Sequence, residues 1–79
     1  MKYSVLENGQ YVSGYVTARR DEGKYSYLRL DMWNATLAFD RETEFYGVDL
    51  LLGIGDYVTL KVSEIMPSGV YLCEVLKVY

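Results

Sequence analysis

Positions 19–32 of the chain read Arg19-Arg20-Asp21-Glu22-Gly23-Lys24-Tyr25-Ser26-Tyr27-Leu28-Arg29-Leu30-Asp31-Met32, two strand-like runs that meet around a polar turn. From Tyr25 onward polar and apolar residues alternate, and successive side chains of a strand point to opposite faces of a sheet. One face is therefore predicted to pack into the core, and it holds Ser26, Leu28, Leu30 and Met32. The other face is predicted to be exposed to solvent, and it holds Tyr25, Tyr27, Arg29 and Asp31.

The segments on either side of this stretch show the same period of two. Residues 11–20 predict a first strand, with Val12, Gly14, Val16 and Ala18 inward and Tyr11, Ser13, Tyr15, Thr17 and Arg19 outward. The glycine within this pattern is typical of a strand that curls through a barrel. Further strands are predicted at 36–42, 57–64 and 70–79, with turns at 7–10, 21–24, 33–35 and 66–69. Residues 43–54 break the pattern and predict a helical turn or compact loop that closes one end of the barrel.

The order of these elements predicts the fold class. A meander of three strands, an irregular connection and a final hairpin, with no amphipathic helix of any length, indicate an all-β domain. This is the order of the OB-fold, a five-stranded, partly open Greek-key barrel. An SH3-like small barrel is the alternative. With 79 residues and no linker or repeat, we expect a single OB-fold domain over 1–79.

The composition excludes several kinds of site. The chain has no histidine and one cysteine, Cys73, which leaves no zinc ligand set, no intramolecular disulfide and no Cys-His or Ser-His pair. Cys73 lies in an apolar run and predicts a small core residue. Asp40, Glu42 and Glu44 alternate and could hold a metal or act as acid and base, but such a row is more often a solvated edge. We therefore predict no enzyme, no metal and no cofactor.

The start of the chain lacks the apolar core of a signal peptide, and no apolar run is long enough to span a bilayer. We expect a cytoplasmic protein that does not contact a membrane. Its net charge is -3, but residues 1–30 hold five basic and three acidic residues, and the remaining 49 hold three and eight. The two parts thus carry +2 and -5, which predicts a basic strip on an acidic body.

Tyrosine is the abnormal component, with nine residues against two phenylalanines and one tryptophan. Tyrosine suits half-exposed positions where the ring packs and the hydroxyl stays wet. The sequence places aromatic and basic residues together on the outer face of the first two strands, and we predict that these bind nucleic acid: Tyr15, Arg19, Arg20, Lys24, Tyr25, Tyr27 and Arg29. Two alternatives stay open, since cross-strand aromatic pairs also stabilise hairpins, and tyrosine and arginine also anchor protein interfaces. Trp33, at a turn, either stacks on a base or caps the barrel.

Three short motifs carry a family resemblance: residues 12–16 (VSGYV), 23–28 (GKYSYL) and 55–62 (GDYVTLKV). Together they resemble small OB-fold nucleic-acid-binding proteins, including cold-shock and ribosomal S1-type domains. The turn at 23–26 and the closing pair of strands also resemble the small single-stranded-DNA-binding proteins of filamentous phages. The resemblance implies a homodimeric viral protein that coats single strands in DNA replication or recombination, with Arg19, Arg20 and Lys24 on phosphates and Tyr25 and Tyr27 stacking on bases.

Two further predictions concern protein partners. The apolar last strand and the slim core predict a homodimer, and the acidic C-terminal half is a possible surface for a second protein. The rival function is a small protein-binding module, an inhibitor or adaptor, that uses the same tyrosine-rich face.

Overall fold

A computed structural model of the chain describes residues 5–42 and 52–79. These residues form five strands, β1 (Tyr11–Glu22), β2 (Tyr25–Leu30), β3 (Leu37–Asp40), β4 (Tyr57–Ile65) and β5 (Tyr71–Val78), and contain no helix. All five predicted strands are present, although β3 is shorter than the predicted 36–42. The predicted plug at 43–54 falls for the most part outside the described residues.

The five strands close into a barrel in the order β1-β2-β3-β5-β4. The first half of β1, from Tyr11 to Tyr15, pairs with β4, and its second half pairs with β2. A long first strand therefore curls through the barrel, as predicted. β3 and β5 form the parallel pair that closes the ring, and the other ladders are antiparallel. This strand order is that of an OB-like barrel and confirms the predicted fold class.

The barrel interior holds the inward side chains that the alternation predicts. Those of Leu28, Leu30, Val58, Leu60 and Val62 are all at most 1% exposed. Burying one such side chain contributes about 1.5–3 kcal/mol, so the interior supplies most of the stability of so small a domain. Phe39 of β3 and Leu52, at the end of the 43–54 connection, complete this core.

Two residues predicted as core are exposed instead. Met32 is 48% exposed because β2 ends at Leu30 and the chain turns at positions 31–32. Ala18 is exposed because the β1–β2 register shifts between Val16 and Ala18. A bulge of this kind inserts one residue, and every later side chain of the strand moves to the opposite face.

The bulge at Thr17 determines which arginine points outward. Beyond it, Arg19 lies opposite Leu28, and Arg20 lies opposite Tyr27. Because directly opposed residues share a face, Arg19 points into the barrel with Leu28, and Arg20 points outward with Tyr27. The hairpin then turns at Gly23, whose φ of +62° lies in the left-handed region that suits glycine.

Candidate nucleic-acid interface

The outer face of the β1–β2 hairpin gathers basic and aromatic side chains, and we call it the hairpin face. It consists of Arg20 from β1, Lys24 from the turn, and Tyr25, Tyr27 and Arg29 from β2. The rings of Tyr25 and Tyr27 lie 6.2 Å apart, centroid to centroid, with an interplanar angle of 60°. Because of this tilt the two rings do not stack on each other, and neither ring covers the face of the other.

A cation lies over each of these two rings. The Arg20 guanidinium carbon is 5.0 Å from the centroid of Tyr27, and the Lys24 amine is 5.3 Å from that of Tyr25. Both distances fall within the range of cation–π attraction. Each of the two rings therefore has a positive charge held over it.

Lys24 is also paired with a carboxylate. Its amine lies 3.6 Å from an Asp40 oxygen on β3. The Tyr25 hydroxyl and this carboxylate raise the pKa of Lys24, so the amine is protonated throughout the physiological range. The pair is exposed on the lysine side, and such surface pairs are weak and sensitive to salt.

Arg29 is held in place by side chains that follow β2. One of its terminal nitrogens donates to Asn34 Oδ1 at 3.0 Å, and the other lies 3.5 Å from Thr36 Oγ1. Neither residue was singled out in the sequence. The signal available was their spacing, five and seven residues after Arg29, on the segment that returns the chain beside β2.

An open pocket of about 240 Å³ lies beside these side chains. Its walls come from the bulged part of β1, from β2, and from the start of the β3 segment: Ala18, Arg19, Arg20, Tyr27, Leu28, Arg29 and Thr36. Ala18, which the bulge turns outward, contributes only a methyl group to the wall of the pocket. No carboxylate lines the pocket, so its polar groups are mainly donors.

Arg19 is not part of the hairpin face, and its predicted outward placement was wrong. Its side chain is 14% exposed, and its guanidinium carbon lies 5.8 Å from the centroid of the buried Phe39. It donates to the Leu52 carbonyl oxygen, to Ser26 Oγ at 3.2 Å and to Asp21 Oδ1 at 2.9 Å. The physical reason is the bulge at Thr17, which turns Arg19 inward. Arg19 therefore ties β1, β2 and the end of the 43–54 connection together.

The exposed Asp21 and the buried Ser26 complete this network. The Ser26 hydroxyl, fully buried, donates to Asp21 Oδ1 at 2.7 Å. This hydrogen bond and the one from Arg19 hold the pKa of Asp21 below its usual value. A serine on the core face thus finds the partners that a buried hydroxyl needs.

Tyr15 is exposed as predicted but is not part of the hairpin face. It stands before the bulge, where β1 pairs with β4, and its neighbour is Tyr57 at 4.9 Å, centroid to centroid. Tyr57 in turn contacts Tyr79, 5.2 Å away. The prediction that Tyr15 aligns with Tyr25 and Tyr27 was therefore wrong, because β1 changes partner at this point.

The remaining predicted features have structural roles. Trp33 packs against the core and donates from Nε1 to the Ser13 carbonyl oxygen at 3.1 Å, which is the capping alternative. Cys73 is buried, and burial raises the pKa of its thiol to about 12. Asp40 accepts from the Glu42 amide and pairs with Lys24, whereas Glu44 lies outside the described residues. Within residues 5–42 and 52–79, no group of three potential ligands among His, Cys, Asp and Glu comes together as a metal site.

Among the same two ranges, no helix has the length and apolar character to cross a membrane.

Comparison with known proteins identifies a structural neighbour. The solution structure of GSP13 from Bacillus subtilis superposes with a TM-score of 0.63 at 19% sequence identity. The match covers 92% of this chain and 58% of GSP13, so the chain spans less than two thirds of that protein's length. No protein-family model and no curated protein matches the sequence. At this identity the likeness shows the fold, and it agrees with the OB-like barrel derived from the strand order.

Proposed function

We propose that this protein binds single-stranded nucleic acid, with a preference for DNA, through the hairpin face. It does so without catalysing a reaction on the strand. The observation that carries the proposal is the pairing of Arg20 with Tyr27 and of Lys24 with Tyr25 on one outward face, where the two cations are exposed and the two rings are half-buried. Strands 2 and 3 and the loop between strands 1 and 2 form the surface on which OB-folds bind oligonucleotides. The hairpin face shares β2 and the β1–β2 turn with that surface.

The two tyrosine rings supply the binding energy that an acidic body cannot supply by charge alone. Base–aromatic stacking contributes about 1–3 kcal/mol per base, whatever the base. Two stacked bases on Tyr25 and Tyr27 thus support measurable affinity. The Arg20 guanidinium, planar and already above a ring, can remain stacked while its edge donates to a phosphate.

The charges of the hairpin face set the salt dependence. Arg20, Lys24 and Arg29 are the cations available for phosphates, and each phosphate neutralised on a single strand contributes about -0.7 to the slope of log K against log salt. Three contacts predict a slope of about -2. The ion pair between Lys24 and Asp40 has to open before Lys24 contacts a phosphate. Because the Lys24 side chain is exposed, the free-energy cost of opening the pair is small.

The experiment is a fluorescence-anisotropy titration of a labelled oligothymidine of about 4 nucleotides, the lower end of the site size of one OB-fold. We expect binding that weakens with salt and falls about tenfold or more in Tyr27→Ala, the loss of one stacked base. Val5→Ala, at a residue that is 78% exposed and is not part of the hairpin face, is the control and should bind like the parent protein. Absence of binding at micromolar protein refutes the proposal.

The finer parts of the proposal follow from the phage-type resemblance, from the apolar last strand and from the acidic C-terminal half. They are a preference for DNA, a role in replication or recombination, assembly as a homodimer, and a protein partner for the acidic half. A competition between DNA and RNA strands of one sequence tests the first. Light scattering at tens of micromolar protein tests the dimer, and a monomeric mass would refute it.

A further inference from the structure

A second surface of exposed tyrosines lies beside the hairpin face around the barrel, on β1, β4 and β5. We call it the tyrosine ladder and define it as Tyr11, Tyr15, Tyr57, Lys61, Lys77 and Tyr79. Tyr15, Tyr57 and Tyr79 form one row across the three strands through the edge-to-face contacts given above. Tyr11, Tyr15 and Tyr79 are 62%, 53% and 64% exposed, so more than half of each residue faces solvent. Exposed rings in such a group indicate a contact surface.

Lysines sit against two of these rings. The Lys77 amine is 4.5 Å from the centroid of Tyr79, and the Lys61 amine is 5.9 Å from that of Tyr11. Between the aromatic ends of the ladder lie hydroxyl groups, with Ser13 and Thr59 hydrogen-bonded at 2.8 Å. The ladder thus repeats the chemistry of the hairpin face, in which cations lie over tyrosine rings.

β1 connects the two surfaces without a break. Its outer side chains run from Tyr11 and Tyr15 through the bulge to Ala18 and Arg20. At about 3.3 Å per residue, Tyr15 and Arg20 are separated by roughly 16 Å of strand, a span that a few nucleotides can cover. Ala18, in the pocket between them, leaves this path open.

We propose that the tyrosine ladder is a second binding segment for the same single strand, which leaves the hairpin face along β1 and continues onto Tyr15 and Tyr79. This inference rests on the proposed function. The charges favour nucleic acid over a second copy of the chain. Among the residues that the structure describes, the patch holds Lys61 and Lys77 and one carboxylate, Glu74 opposite Lys61, so it is net positive, and a two-fold interface would set this positive patch against itself. Single-stranded nucleic acid, in contrast, has phosphates that complement the charge of Lys77 and bases that can stack on the exposed rings.

The test compares two lengths of oligothymidine, about 4 and about 12 nucleotides, which bracket the shorter site sizes of OB-folds. The variants are Tyr79→Ala and Tyr15→Ala in the full chain, with Tyr27→Ala for the hairpin face and Val5→Ala as control. Circular dichroism melting verifies that each variant is folded. We expect the longer strand to bind the parent protein more tightly, and Tyr79→Ala to lose about tenfold with the longer strand and less than about twofold with the shorter one.

The outcomes separate this inference from the function beneath it. If neither length binds, the proposed function fails. If the short strand binds through Tyr27 but Tyr79→Ala and Tyr15→Ala leave the longer strand unaffected, the ladder is not a binding segment and the inference alone is overturned. A parent dimer that Tyr79→Ala converts to a monomer, with unchanged binding of the longer strand, overturns it in favour of a second copy.

Discussion

Replacing Arg19 and Arg20 separately by methionine should give opposite phenotypes, although the two residues are neighbours of one type. Arg19→Met keeps an unbranched apolar side chain but removes the guanidinium that lies over Phe39 and donates to Leu52, Ser26 and Asp21. Arg20→Met removes an exposed guanidinium whose contact is the Tyr27 ring. The first change therefore acts on stability and the second on binding.

The size of the Arg19 effect follows from its partners. Taking the donor from a buried polar group costs about 1–3 kcal/mol, which applies in full to the Leu52 carbonyl. Ser26 retains its bond to Asp21 and contributes less. The Asp21 side chain is 43% exposed, so solvent screens its ion pair and it adds under about 1 kcal/mol. The sum is about 3 kcal/mol, and for a domain of this length it lowers the melting temperature by more than about 10 °C.

Circular dichroism melting of both variants provides the measurement, with oligothymidine binding of each folded variant recorded below its transition. We expect the free energy of unfolding of Arg20→Met to lie within about 0.5 kcal/mol of the parent value, as is usual for exposed substitutions. The same variant should bind oligothymidine more weakly. Equal melting temperatures for the two variants, or an Arg19→Met protein that is stable but fails to bind, would show that the reasoning from the bulge is mistaken.

Three other outcomes follow from the described contacts. Because the Ser26 hydrogen bond and the Arg19 guanidinium lower the pKa of Asp21, its stabilising contribution is present above pH of about 4 and is lost as the pH falls below that value; Asp21→Asn should flatten this part of a stability–pH curve from urea unfolding. With its pKa at about 12, Cys73 should react with a thiol reagent at neutral pH only in denaturant, and rapid labelling of the folded protein would contradict its burial. Gly14→Ala should destabilise the fold by about 1–2 kcal/mol in the same unfolding assay, because a Cβ there would lie 2.7 Å from Asp31 Oδ1, the acceptor for the Tyr15 amide; an unchanged midpoint would refute this.

The sequence predicts the strands and most of the core because alternation is a direct record of which side chains are buried. Leu28 and Leu30 in β2, and Val58, Leu60 and Val62 in β4, are inward in the structure as the period of two requires. The parallel contact of β3 with β5 follows from the OB-fold order and not from any local residue pattern.

The bulge could not be predicted in the same way, and the error at the site comes from it. Residues 18–20 contain no large apolar side chain to mark the inward face, so both registers fit the pattern. One signal was available: Ser26 sits on the predicted core face, and a buried hydroxyl needs partners. Those partners are Asp21 and Arg19. The burial of Ser26 therefore indicates that the Arg19 side chain points inward.

The placement of Tyr15 depends on where β1 changes partner. Its neighbours Tyr57 and Tyr79 are 42 and 64 residues away in the sequence, and alternation carries no information about such pairings. The exposed tyrosines thus divide between two surfaces, which the sequence alone had merged into one.

The most direct test of the account is a backbone amide NMR titration of the ¹⁵N-labelled protein with oligothymidine at low salt. We expect the largest shifts at Tyr25, Tyr27 and Arg29 and their β1 partner Arg20, and their reduction as salt is raised. Shifts confined to the β4–β5 turn around residues 66–69, or no shifts at saturating oligonucleotide, would contradict the claim that the hairpin face binds single-stranded nucleic acid.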